Sequence, residues 1–352
     1  MKTLKLRIKD KHAKTLNELA SEVNFVWNYC NDLCFKHLQR TGKFFSAFDV
    51  AKYTAGASKS GLNLHSQTIQ AIAEELVLRR KQFKKVKLRW RVSNPKSAKK
   101  SLGWIPFKAS GIKYQNGQIK YAGRFFGLWD SYGLSKFNIK TGSFSQDSRG
   151  RWYINAVVET EKTVTTAVDS VGIDLGLKDF ATLSNGQKIE AQRIYRKYEK
   201  KLGIAQRAKQ KQRVKAIHAK IANIRKDFLH KLSSQLVNNH AAIFVGNVNA
   251  QALAKTKLAK SVLDASWMAF RTMLKYKCDS AGVWFEEVNE KYTTQTCSCC
   301  GSRQSSPKGR AGLGIREWTC LACGTSHDRD VNAAKNILAL GHERLVEGIP
   351  VL

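Results

Sequence analysis

Two tight cysteine pairs constrain this chain more than any other feature. The run TCSCCG sets Cys297 three residues before Cys300, and CLACG sets Cys320 three before Cys323. Two Cys-x-x-Cys knuckles about twenty residues apart match a tetrahedral four-thiolate zinc site, in which the metal replaces a core too small to form otherwise. Disulfides or inert thiols are the plainer reading, and they fit poorly in a reducing compartment. Cys299 lies inside the first knuckle as a spare, and taking it as a ligand would break the spacing. Cys30 and Cys34, four apart in helical sequence, read as core packing. A closed four-sulfur site has no open coordination position, so one structural Zn²⁺ is expected and the chemistry must sit elsewhere.

Charge points to the partner. The 352 residues carry 61 Lys and Arg against 27 Asp and Glu, a formal charge of +34. Such a surplus is costly in self-repulsion and calls for a polyanion, with nucleic acid ahead of a membrane because no basic amphipathic anchor accompanies it. The hydrophobic fraction of 43% argues against wholesale disorder. No run approaches the roughly 18 apolar residues of a membrane span, and the basic start lacks the apolar segment of a secretory signal. A soluble, cytoplasmic, nucleoid-associated protein with no membrane partner is expected.

Hydrophobic periodicity sets the organisation. Leu4, Leu6 and Ile8 alternate as a strand, after which Leu16, Leu19, Val23, Val26, Cys30 and Leu33 follow helical spacing. A second helix is predicted with Ser66 as its cap and Ile69, Ile72, Leu76 and Phe83 on one face. Short alternating runs with turns at Asn116-Gly117 and at 148–150 then read as hairpins of a β-barrel closed by the first strand. In KLRWRV, Lys87, Arg89, Trp90 and Arg91 mix charge and rings in the manner of phosphate contact plus base stacking, though exposed barrel faces often look similar. After Val171 the pattern becomes an α/β sheet: a strand ending at Asp174, a second strand with a turn at Asn185-Gly186, a strand at 241–247, a helix over 266–280 and a strand ending at Glu290. Between them, residues 193–231 form long helical sequence with fourteen Lys or Arg against Glu199 and Asp227. A solvated face is the default for such a run, but the sign bias is too lopsided for alternating salt bridges. Arg196, Lys197, Lys200, Arg207, Lys211 and Arg213 are the expected nucleic-acid contacts. The expected domains are a barrel (1–10 and 86–165), a helical insertion (11–85), an α/β nuclease domain (166–292 and 325–352) and a zinc-ribbon insertion (293–324).

Few acids are present, so those at strand ends matter. Asp174 closes a strand and Asp330 opens the last helix in HDRDVNAAKNIL. Phosphodiester hydrolysis by two divalent ions needs two to four carboxylates converging on metals roughly 4 Å apart. Taken singly, GIDLG is also ordinary turn chemistry, and Asp328 or Asp330 could simply cap the helix. In combination, GIDLGLKDFATLSNG, the two cysteine knuckles and HDRDVNAAKNIL resemble the TnpB (OrfB) proteins of insertion sequences, compact relatives of type V CRISPR effectors. The resemblance covers 168–352 motif by motif and the first 165 residues or so loosely.

The resemblance implies a RuvC-like nuclease domain of the RNase H fold with an inserted zinc ribbon, preceded by a β-barrel carrying a helical insertion. It implies an RNA-guided DNA endonuclease that uses two Mg²⁺ ions. The expected partners are a guide RNA from the element's end and a double-stranded DNA target beside a short adjacent motif; a monomer is expected. Asp174 matches the family's first catalytic aspartate and Asp330 its last. The middle glutamate is missing, because Gly246 stands in its place in IFVGN. Either the protein is a nuclease-inactive, RNA-guided DNA-binding repressor, or the acid has moved. Relocation is favoured: the next strand lies beside this one, about 9 to 10 Å from the strand of Asp174, glycine leaves a gap, and Glu290 is long enough to lean over it. Glu286 and Glu287 read as a solvent edge, and His327 as structural. A transposase joining DNA without RNA is a third reading.

Overall fold

In the computed structural model, residues 1–161, 164–248, 264–304 and 311–347 are described. The chain divides into two units, 1–161 and 162–352.

The first unit begins with strand β1 (Lys2–Ile8), whose inward side chains Leu4, Leu6 and Ile8 are buried. Helix α1 (Ala13–Thr41) follows and ends at Gly42, whose φ of 67° supplies the left-handed cap. Helix α2 (Ala47–Tyr53) starts from a reciprocal capping box between Ser46 and Asp49, a local signal that hydrophobic periodicity does not register. Helix α3 (Ser66–Phe83) is capped by the ring of His65, not by Ser66, which is its first residue. Strands β2 (Trp104–Lys108), β3 (Ile112–Gln115), β4 (Gln118–Tyr121), β5 (Arg124–Trp129), β6 (Ile139–Gln146) and β7 (Trp152–Val158) complete the unit. The sheet runs β2-β6-β7-β1-β5-β4-β3. The expected closure by the first strand is thus corrected: β1 sits mid-sheet between β5 and β7, while β2 and β3 form unpaired edges of a nearly closed barrel. Helices and sheet share one core, in which Leu16, Ile72 and Leu76 join Phe107, Phe126 and Phe144.

Residues 86–103, which hold KLRWRV, form no strand. An asparagine ladder on α1 pins them instead. The Asn31 amide donates to Leu88 O and accepts from Leu88 N, and Asn28 does the same with Arg91, so each side chain imitates a strand neighbour.

The second unit is a sheet with helices on both faces. Strands β8 (Ser170–Leu175), β9 (Asp179–Leu183), β10 (Lys188–Glu190), β11 (Ala242–Gly246) and β12 (Trp284–Val288) are ordered β10-β9-β8-β11-β12, with β11 parallel to both neighbours. The basic segment is a helix pair, α4 (Ile194–Arg207) and α5 (Lys211–Asn239), broken at Lys209 with φ 51°, where one long helical stretch was expected. Helix α6 (Trp267–Ala281) precedes β12, and α7 (Arg329–Glu347) closes the unit. Strand periodicity of two sorts the side chains. Val171, Ile173, Ile243 and Val245 pack with α5 and α6, whereas Phe244, Val288 and Ile337 form a core with α7. Being covered on both sides makes β11 apolar throughout. A small sheet, β13 (Glu317–Thr319) with β14 (Ser326–Asp328), carries the second cysteine knuckle in its connecting turn.

Candidate active site and metal centre

Three acids come together on the α7 face of the second sheet. Ile173 pairs with Val245 and Val288 with Gly246, so Asp174 and Gly246 are the next residues along neighbouring strands and Glu290 lies two past Val288. By strand periodicity Asp174, Gly246 and Glu290 fall on one face. Strand β12 ends at Val288, so Glu290 stands just beyond it rather than at its last position. The glutamate side chain fills the space over the glycine. A Cβ at position 246 would lie 2.6 Å from Glu290 Oε2 and 3.3 Å from its Cβ, too close for any side chain to coexist with this rotamer.

The electrostatics agree. Asp174 keeps some exposure at the sheet's end, yet burial, with the charges of Asp330 and Glu290 added, pushes its carboxyl up to about 7 against the pull of Arg329. Burial likewise raises Glu290, with Arg271 opposing. Asp174, which feels the charges of the other two, Glu290 and Asp330 offer hard oxygen donors of the kind that divalent cations prefer.

Cations surround the acids, a feature not anticipated from the sequence. Arg316 Nη1 lies 3.3 Å from both oxygens of Asp330. Lys188 pairs with Asp328 at 2.6 Å, and Arg271 with Glu287 at 3.0 Å. Asp328 Oδ1 accepts the N–H groups of Asp330 and Val331, so it is the cap of α7 and leaves Asp330 to face the other acids. Burial works to raise Asp328, but the Lys188 ammonium and these N–H groups outweigh it and hold the carboxyl low. Nothing local in the sequence signals Lys188 or Arg316, because each meets its partner only through the fold.

The four knuckle cysteines converge, with all their sulfurs within 4.8 Å of one another. Cys297 and Cys323 are 3.7 Å apart, as are Cys300 and Cys320. A tetrahedron with metal–sulfur bonds of about 2.3 Å has edges of about 3.8 Å, so the group fits zinc. Hydrogen bonds from Thr325 lower Cys323 to about 6. The backbone N–H of Ser302 favours the Cys300 thiolate but is outweighed by Cys323, burial, Cys320 and Cys297, which push it up to about 12. Cys30, Cys34 and Cys278 are buried core residues and Cys299 is exposed. His327 Nε2 lies 3.0 Å from Cys297 Sγ, and its ring packs against Trp318.

The six basic residues singled out from the helical segment, Arg196, Lys197, Lys200, Arg207, Lys211 and Arg213, are all exposed on α4 and α5. Arg196 also lines a cavity with Arg193, Arg225 and Asp264, the last two ion-paired at 2.6 Å.

The chain is similar to known proteins. Residues 153–257 match the OrfB family of IS605-type elements, described as "Probable transposase", and residues 267–337 match "Cas12f1-like, TNB domain". A provisionally named RNA-guided DNA endonuclease of Streptomyces pristinaespiralis is 35% identical over 266 residues, covering 70% of this chain and 64% of that protein. InsQ of Escherichia coli (strain K12), under the same provisional description, is 35% identical over 242 residues, covering 60% of this chain and 58% of InsQ. The CRISPR-associated endodeoxyribonuclease Cas12f1 of Sulfoacidibacillus thermotolerans is 26% identical over 227 residues, with 57% and 53% covered. These matches span less than two thirds of each relative's own length. The cryo-EM structure of a Cas12f1–sgRNA–target DNA complex shares the fold, with a TM-score of 0.61 at 13% identity over 94% of this chain and 83% of that one. The two family matches and the curated relatives make this chain similar to the TnpB (OrfB) proteins of insertion sequences over 153–257 and 267–337, and the solved complex shares its fold.

Proposed function

We propose that this protein is an RNA-guided, metal-dependent DNA endonuclease whose RuvC-like, RNase H-type site is built from Asp174, Glu290 and Asp330. The observation that carries this reading is the carboxylate of Glu290 lying over Gly246, beside two aspartates whose charges reach one another. Glycine at the usual acid position is then the complement of a displaced acid, not the scar of a lost one.

In this reading the three carboxylates hold two Mg²⁺ ions. When bound, the ions supply an activated water and charge neutralisation at the leaving oxygen. The chain's own groups do the rest. Asp174 from β8, Glu290 from just past β12 and Asp330 from α7 fix the spacing of the acids. Arg316 balances Asp330. The exposed bases of α4 and α5 carry phosphate contacts to guide or target. Cys297, Cys300, Cys320 and Cys323 hold one structural zinc. The partners are a guide RNA, which supplies most sequence specificity, and double-stranded DNA beside a short motif read by the protein. Relatives named as RNA-guided DNA endonucleases support this assignment.

The test is direct. Purified protein with its guide, a matched duplex and Mg²⁺ should cut, and Glu290→Ala should bind the same duplex without cutting. Cleavage by Glu290→Ala at the unaltered rate would remove that residue from the site. Guide-dependent binding without cutting by the unaltered protein would leave an RNA-guided repressor.

A further inference from the structure

The helix motif DRDVNAAKN contains two asparagines that the carboxylate site does not use. Asparagine is a poor helix-interior residue, because its amide competes for backbone bonds. Here both amides face the segment that joins Glu290 to the first cysteine knuckle. Asn332 is 1% exposed, and its Nδ2 donates to Thr293 O at 3.2 Å and Thr296 O at 2.7 Å, while its Oδ1 accepts from Ser298 N at 2.8 Å. Asn336, one turn later, donates to the same two carbonyls at 2.8 and 2.6 Å. Each carbonyl has two lone pairs and each amide two N–H groups, so the four bonds use every donor and leave no buried amide hydrogen unpaired.

The segment so held reaches both sites. Upstream, Thr293 N and Thr293 Oγ1 both donate to Glu290 O, at 3.1 and 2.8 Å. Glu290 N in turn donates to Asn247 Oδ1 at the end of β11. Downstream, Ser298 lies between Cys297 and Cys300. A helix whose first turn carries Asp330 thus grips, through Asn332 and one turn later Asn336, the peptide that carries Glu290 on one side and two cysteines on the other.

We propose that Asn332 and Asn336 are positioning residues that hold Glu290 in register with Asp330 and make the carboxylate site and the four-cysteine site mechanically one unit. This rests on the proposed role of Glu290. The physical reason is the reach of the acid: it extends from a residue past the end of β12, outside the ladder that fixes Asp174, so something other than strand pairing must set its backbone. Side-chain amides bonded to carbonyls fix that backbone more tightly than apolar packing, because hydrogen bonds are directional. Substitutions of such supporting groups typically lower metal affinity by about 10- to 100-fold.

The test uses the full chain with its copurifying RNA and two readouts that need no cleavage: Mn²⁺ binding followed by electron paramagnetic resonance, and transfer of zinc to a chromogenic chelator. Asn336→Ala, at a half-buried position, is expected to weaken Mn²⁺ binding by about tenfold and to speed zinc transfer, with duplex binding unchanged. Thr293→Val, which keeps the side chain's shape but removes its hydroxyl bond to Glu290 O, should weaken Mn²⁺ binding and leave zinc transfer alone. Glu290→Gln serves as the reference. If Glu290→Gln weakens Mn²⁺ binding while Asn336→Ala changes neither readout, or lowers only the melting temperature, the positioning role is overturned. If Glu290→Gln itself has no effect on Mn²⁺, the acid assignment has failed instead.

Discussion

Gly246 and Glu290 compete for one volume, and the outcome can be read one side chain at a time. A methyl at 246 would meet the Glu290 carboxylate at 2.6 Å and Ile337 Cδ1 at 3.2 Å. Gly246→Ala should therefore swing the acid away and cut the cleavage rate by at least about tenfold, with guide and duplex binding intact. The pair Gly246→Glu with Glu290→Ala returns an acid to β11 itself, and a single-turnover assay should show part of the lost rate restored. The raised carboxyl of Asp174 has its own signature. In metal-free protein the folded state keeps this proton up to about pH 7, whereas the unfolded chain releases it near pH 4. Between those values the folded state binds more protons, so this group's stabilisation, full below about pH 4, is lost as pH rises toward 7. Asp174→Asn should thus raise the stability of chelator-treated protein at pH 8, by roughly 1–3 kcal/mol, and change it little at pH 4. Thermal melts at the two pH values check the sign.

Among the elements, α7 does the most, and glycine lets it. It packs against β8 so closely that a Cβ at Gly172 would lie 2.2 Å from Ala334 O and 2.6 Å from Leu338 N, both backbone atoms. At its far end Gly341 sits equally close to the ring of Phe244. Gly172→Ala should accordingly force the helix outward and cost about 1–3 kcal/mol, measured by denaturant unfolding. The cap of this helix at Asp328 is a sequence-level feature, but its depth against β8 is not. The asparagine ladder of α1 likewise replaces a strand with side chains: Asn31→Ala leaves the half-buried Leu88 N–H and C=O without their partner and should cost about 1 kcal/mol. Faster proteolysis within residues 86–93 would accompany it.

At the scale of the molecule, charge dominates. With a surplus of +34, the proposed nucleic-acid binding should be a counterion-release process, with log K falling linearly against log salt. Neutralising Lys200, Lys211 and Arg213 together, all exposed on α4 and α5, should flatten that slope by about one for each phosphate that these side chains pair with. A slope identical to that of the unaltered protein would move the nucleic-acid track elsewhere. Chelation or Cys320→Ser should abolish zinc content and expose the ribbon, because Cys297, Trp318 and Cys320 form a core too small to hold alone.

Local features were legible from the chain itself. The cysteine pairs, the strand-ending Asp174, the helix-opening Asp330 and the two-residue and three-to-four-residue periodicities all depend on neighbours a few positions away. That Glu290 lies over Gly246 could also be anticipated once the resemblance marked that position, because strand spacing and side-chain length are fixed quantities. Tertiary structure alone decided where β1 pairs, that β2 and β3 remain edges, that KLRWRV is pinned by asparagines rather than paired as a strand, and that Arg316 and Lys188 meet Asp330 and Asp328. The division has a physical cause: covalent spacing dictates what a residue can do with the turn before it and the strand position after it. The partner of a long charged side chain, or of an amide such as Asn336, is chosen only when segments tens of residues apart are packed together.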